Sequence, residues 1–119
     1  MIKNIAIVSL SRGVAGEAFA QHEVEIGLKR LAGYGVNVQF MPNARRGIDY
    51  LTAHPEARAA DLLQAFRDPG IDMILCAIGG DDTYRLAPYL FANGELETAV
   101  SGTDKIFLGF SDTTVNHMM

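Results

Sequence analysis

A single cysteine in 119 residues excludes an internal disulfide framework, and Cys76 sits inside an apolar run, where it reads as a small core residue. No apolar stretch approaches the ~20 residues that a bilayer-spanning helix requires. Residues 1–9 include a short apolar segment but lack the small-residue cleavage site of a signal peptide, so they read as a first strand, and a cytoplasmic location is expected. Positive charge is scarce as well. Ten Lys and Arg against fourteen Asp and Glu give a net charge of −4, with the basic residues spread along the chain, which argues against a nucleic-acid partner. Internal repeats, low-complexity stretches and linkers are missing. What is there, 49% hydrophobic and 20% charged residues, suits one soluble globular domain able to bury a core.

The pattern along the chain alternates strand and helix. Residues 3–8 form an apolar strand, followed by a loop over 9–16 and a helix with Val24, Leu28, Leu31 and Ala32 on one face. Gly33 and Gly35 stop that helix. A second strand over 36–41 alternates apolar and polar residues, with Phe40 breaking the alternation, and ends at Pro42-Asn43. Residues 44–52 fit neither period. His54-Pro55-Glu56 opens another helix, because proline suits the first helical position and an acidic residue the first turn. Leu62, Leu63 and Phe66 give it an apolar side before Asp68-Pro69-Gly70 ends it. A strand over 73–78, a helix over 82–91 limited or kinked by Pro88, a turn at Asn93-Gly94, a strand over 106–110 and a helix start at 111–114 complete the order. The βαβαβαβ pattern predicts a parallel sheet with helices on both faces, flavodoxin-like or Rossmann-like.

The densest chemistry lies at Met73-Ile74-Leu75-Cys76-Ala77-Ile78-Gly79-Gly80-Asp81-Asp82-Thr83-Tyr84-Arg85-Leu86. A continuous apolar run marks a strand buried on both faces, and paired glycines allow a sharp turn and close approach to a ligand. Thr83 falls at the head of the next helix, where free N–H groups can hold an oxyanion or a phosphate. Ser111 and Asp112 follow the last strand and can line a substrate site or cap a helix, and Ser9 and Ser11, which follow the first strand at the same carboxyl edge, can contact substrate. Asp81 and Asp82 can bind an amine or stabilise a helix start, and Arg85 can clamp a substrate carboxylate or form a surface ion pair. His22, His54 and His117 read as solvated or structural. Phe91, Phe107 and the methionine end read as core more readily than as a partner surface.

The elbow Gly79-Gly80-Asp81-Asp82-Thr83-Tyr84-Arg85-Leu86-Ala87-Pro88-Tyr89-Leu90 resembles the Gly-Gly-x-x-Ser elbow of the LD-carboxypeptidases and their relatives, the microcin C immunity peptidases. Three further segments resemble that family's N-terminal domain in the right order: Gly27-Leu28-Lys29-Arg30-Leu31 with Tyr34-Gly35, then Arg58-Ala59-Ala60-Asp61-Leu62-Leu63-Gln64-Ala65-Phe66-Arg67-Asp68-Pro69, then Phe107-Leu108-Gly109-Phe110-Ser111-Asp112-Thr113-Thr114. The resemblance implies a serine-type peptidase with a Ser-Glu-His triad and no metal or organic cofactor. Its substrate would be a muropeptide that loses a terminal D-alanine, or a peptidyl or aminoacyl nucleotide. It also implies a homodimer in the full-length protein, and no membrane or nucleic-acid partner. By position, Thr83 takes the nucleophile's place, with the amides of Gly80 and Tyr84 as oxyanion donors.

Two departures stand out. Threonine replaces the family's serine, and its extra methyl restricts χ1; the familiar threonine nucleophiles are N-terminal, and Thr83 is internal. The Glu and His of such a triad come from a C-terminal domain, which the 119 residues do not include, so residues 1–119 read as the N-terminal, nucleophile-bearing domain of a longer protein or as a truncated product. Two alternatives remain open. One is a homologue that binds such ligands without cleaving them. The other rests on the likeness of Gly-Gly-Asp-Asp-Thr to the Gly-Gly-Asp-Gly-Thr/Ser signature of phosphofructokinases and of NAD and lipid kinases. There Asp82 would repel phosphate, and residues 9–16 match a phosphate loop poorly.

Overall fold

A computed structural model describes all 119 residues. Four parallel strands, β1 (Asn4–Val8), β2 (Asn37–Phe40), β3 (Met73–Cys76) and β4 (Ile106–Leu108), lie in the order β2-β1-β3-β4. Parallel neighbours need long crossovers, and helices supply them. They are α1 (Gln21–Ala32), α2 (Ile48–Ala53), α3 (Pro55–Arg67), α4 (Ala87–Phe91) and α5 (Glu95–Val100), while α6 (Thr114–His117) follows β4. The expected α/β architecture, a parallel sheet with helices on both faces, is what the chain adopts.

Register explains which face each helix covers. Ala6, Ile74 and Phe107 share one row and Val8 with Cys76 the next, all on the face packed by α3, α4 and α5. Ala59, Leu62, Leu63 and Ala65 of α3 close over them with Leu86, Leu90, Leu96 and Ala99. Each fully buried leucine there contributes about 1.5–3 kcal/mol relative to exposure. The opposite face carries Ile5, Ile7, Phe40, Met73, Leu75, Ile106 and Leu108. There α1 covers the half over β1 and β2, its Val24, Leu28 and Leu31 lining an apolar groove of about 650 Å³ with Ile7, Phe40 and Leu75. Ile106, Leu108 and Phe110 on the other half are about half exposed, at 50%, 49% and 55%.

Several local expectations are corrected. Residues 44–52 contain the start of α2, entered through Gly47 at φ 96°, and α5 follows the Asn93-Gly94 turn. Residues 82–91 divide into a 3-10 turn over Thr83–Leu86 and the short α4, because Pro88 has no N–H to continue a ladder but fits a helix's first turn. β3 and β4 end at Cys76 and Leu108, earlier than the apolar runs, where the last ladder partners Val8 and Leu75 are reached. Phe107 stacks on Phe66 and Met119 packs on the core, whereas Phe91 and Met118 are exposed. The longest helix has 13 residues, and none is long and apolar enough to cross a membrane.

Candidate active site at the carboxyl edge of the sheet

The strand order reverses between β1 and β3, so the loops leaving their carboxyl ends splay apart and form the crevice where open α/β sheets bind ligands. Three loops meet there: residues 9–13 after β1, 77–82 after β3 and 109–113 after β4. Both glycines of the elbow are required by close approach. A Cβ on Gly79 would stand 2.9 Å from Ser111 Cβ, and one on Gly80 would overlap the Ser11 hydroxyl and lie 3.0 Å from the Arg12 amide. The Gly79 carbonyl accepts the Arg12 N–H at 3.3 Å, stitching the elbow to the first loop.

Thr83 begins the 3-10 turn and is fully buried. Its Oγ1 lies 2.9 Å from the Leu10 carbonyl and 2.9 Å from the Asn116 side-chain oxygen, and its single proton serves one of them at a time. The Thr83 N–H donates to Asp112 Oδ2 at 2.8 Å, and the same oxygen accepts the Ser11 hydroxyl at 2.5 Å. One carboxylate from the β4 loop therefore ties the loops of all three strands together. Acidic residues at a helix start were expected to cap it, but the carboxylate bound to the turn's first amide belongs to Asp112 and to neither Asp81 nor Asp82. The amides of Gly80 and Tyr84 donate to no acceptor in the chain.

Asp82 faces inward instead. Its two oxygens accept bonds from Arg58 Nη1 at 2.8 Å and Nη2 at 3.2 Å, and Arg85 Nη1 lies 3.3 Å from Oδ2. Burial works to raise this carboxyl, and the bonds and charges of Arg58 and then Arg85 outweigh it, holding Asp82 below the usual carboxylate range. Arg85 also donates to the Thr52 carbonyl, so its guanidinium is engaged within the chain. Ser9 is buried and donates to the Ala44 carbonyl at 2.7 Å. Asp81, Tyr84 and Ser111 face solvent, and Ser111 occupies the left-handed region at φ 53°, a conformation that costs a non-glycine residue energy. The histidines lie apart. His54 stacks on Tyr50 and pairs with Glu56, His117 meets the Phe107 ring edge-on, and His22 is exposed on α1.

Sequence reasoning overlooked Arg58 and Asn116 as parts of this edge. A signal for Arg58 existed, because it stands four residues before Leu62 and seven before Ala65, inside the buried stripe of α3. Nothing marked Asn116, whose role depends on how α6 folds back on the elbow.

The chain is similar in sequence and fold to several known proteins. A Streptomyces coelicolor protein named as a carboxypeptidase is 34% identical over 116 residues, covering 95% of this chain and 34% of the relative. A Bacillus subtilis protein named as a murein peptide carboxypeptidase is 32% identical over 95 residues, covering 80% of this chain and 28% of the relative. The crystal structure of an MccF-like protein from Streptococcus pneumoniae in complex with AMP superimposes with a TM-score of 0.96 at 58% identity, covering all of this chain and 34% of that one. The chain thus spans about a third of the length of these relatives. Residues 5–119 match the family model of the LD-carboxypeptidase N-terminal domain, and with that match over an elbow built as described, the chain belongs to the S66 peptidase family.

Proposed function

We propose that this chain is the nucleophile-bearing domain of a hydrolase that cleaves a terminal amide, either releasing D-alanine from a muropeptide or splitting a peptidyl or aminoacyl nucleotide. The observation that carries the reading is the elbow. Paired glycines forced by close packing set Thr83 at the head of a turn, with the Gly80 and Tyr84 amides left without an acceptor beside it. In this reading Thr83 Oγ1 attacks the scissile carbonyl and its proton passes to a histidine oriented by a glutamate, both supplied by polypeptide beyond these residues. The Gly80 and Tyr84 N–H groups stabilise the oxyanion, the amine leaves with the proton held by the histidine, and water, deprotonated by the same histidine, then releases the acyl group as the proton returns to Thr83 Oγ1. The relatives' names support a muropeptide substrate, and the AMP in the pneumococcal structure supports a nucleotide-bearing one.

Two observations support a further domain. The relatives are about three times as long, and the sheet is bare over Ile106, Leu108 and Phe110, a half-face that additional polypeptide of the same protein would cover.

A second reading, a homologue that binds such ligands without cleaving them, is favoured by one specific fact: the Thr83 hydroxyl is closed to solvent and bonded within the chain. The full-length protein carrying Thr83, Ser or Ala at this position separates the two. Amino-acid release from a muropeptide tetrapeptide and from an aminoacyl nucleotide amide is followed by mass spectrometry. Turnover by the Thr protein that Thr83→Ala abolishes supports the hydrolase. Turnover only after Thr83→Ser supports the binding homologue, and turnover unaffected by Thr83→Ala removes Thr83 from the reaction.

A further inference from the structure

Arg58 heads the fully buried side chains by size, at 1% exposure in the first turns of α3. A guanidinium taken out of water is costly unless its donors find acceptors, and four contacts engage this one, three of them sharing the two Nη1 hydrogens: the Leu10 carbonyl at 3.1 Å, the Ser11 carbonyl at 3.1 Å and both oxygens of Asp82. Its Nε has no partner. The three groups it grips are the residue before Thr83 and two successive carbonyls of the β1 loop. One of those carbonyls, Leu10 O, is also the acceptor within 2.9 Å of Thr83 Oγ1.

We propose that Arg58 is a positioning residue for the reacting hydroxyl: its planar fork sets the elbow against the β1 loop and so determines where Thr83 Oγ1 stands. The proposal rests on the hydrolase reading for its kinetic consequence and on geometry alone for its structural one. Asp82 fixes the backbone immediately before Thr83, and Asp112 holds the Thr83 N–H and Ser11, so the elbow is clamped from the α3 side by one charge and from the β4 side by another. Core stability does not call for an arginine here, because a buried ion pair replaced by apolar side chains of similar volume commonly leaves stability unchanged or raised. What an apolar residue or a lysine cannot supply is two parallel N–H bonds to one carboxylate with further donation to neighbouring carbonyls.

The test compares Arg58→Lys and Arg58→Met in the full-length protein by urea unfolding, by hydrogen exchange at the Thr83 and Arg85 amides against those of β1 and β3, and by kcat and KM for amide hydrolysis. Lysine keeps the charge without the fork, and methionine keeps much of the volume without the charge. The expected result is exchange at Thr83 and Arg85 accelerated in both variants by about tenfold or more beyond any acceleration of the strand amides. It includes a kcat lower by about ten- to a hundredfold at unchanged KM. Elbow and strand amides accelerating together, in step with a lower urea midpoint, would make Arg58 a structural residue and overturn the proposal. So would unaltered elbow exchange, or an unaltered kcat in a parent that turns over. A parent protein without hydrolase activity defeats the hydrolase reading alone, and the exchange measurement still decides the role of Arg58.

Discussion

Three substitutions at Thr83 dissect what its side chain does in the folded state. Thr83→Val keeps the shape and removes the hydroxyl. The Leu10 carbonyl then loses one donor but keeps Arg58 Nη1, and half-buried Asn116 can turn to water, so the cost lies near that of one net hydrogen bond, about 1 kcal/mol. The new methyl group, standing where the hydroxyl approached a carbonyl at 2.9 Å, adds some crowding and brings the total to about 1–2 kcal/mol. Thr83→Ser keeps the hydroxyl and removes a fully buried methyl, which costs about 0.8 kcal/mol in transfer and somewhat more with the small void left behind. Thr83→Ala loses both, and should cost about 2–3 kcal/mol. Urea unfolding at constant slope reads these differences directly from the midpoints. The order expected is parent, then Ser, then Val, then Ala, with Ser and Val close together. A valine variant as stable as the parent, together with an alanine variant no worse than serine, would refute the reasoning, because it would mean that the hydroxyl is not bonded to Leu10 and stands free.

Gly80→Ala should lower stability by about 1–3 kcal/mol, since the added Cβ overlaps Ser11 Oγ and meets the Arg12 backbone, whereas Gly27→Ala on α1, whose Cβ would project into open space, should raise it by up to about 1 kcal/mol; paired thermal melts check both signs. Asp82 titrates below the usual value of 3.8 when folded, so its ion pair adds stability above that pH and the addition is lost as pH falls through the lower folded value. Urea midpoints measured from pH 5 down to pH 2 should therefore fall more steeply for the parent than for Asp82→Asn, and parallel curves would remove the Arg58 pair as the cause.

The sheet was legible because the inner strands β1 and β3 read as apolar runs and the edge strand β2 as an alternation, and because α1 and α3 are long enough to show a helical period over several turns. Helices α2 and α5 were not, and the reason is length. Each has six residues, too short to form without tertiary support, so its identity lies in what packs against it and not in its own pattern. The strand ends at Cys76 and Leu108 were overrun for a related reason. Apolar character continues through Ala77 and Ile78, but a ladder ends where its partner does, and residues 77–78 line the groove under α1 instead.

At the site, topology alone was enough to bring Ser11, Thr83 and Asp112 to one edge, since each follows a parallel strand and all parallel strands end on the same side. The bonding could not be read that way. Asp82 and Arg58 are 24 residues apart, and Thr83 and Asp112 are 29 apart, so a carboxylate beside the elbow looked like a cap while the actual cap sat in another loop. The same bonding bears on whether the elbow works. Arg58 grips Asp82 and Asp112 the Thr83 N–H, and neither bonds the Thr83 side chain directly, Arg58 acting on it through the Leu10 carbonyl. Turning χ1 toward an incoming carbonyl therefore leaves both clamps in place and gives up the one hydrogen bond that the hydroxyl makes to Leu10 or Asn116, about 1 kcal/mol, which a histidine accepting the same proton would restore. The burial of the hydroxyl is thus a small barrier, and the larger one is the β-methyl, which must find room as the side chain turns. That is why serine at position 83 tests rotation at little expense to the fold, and so separates the two proposed readings.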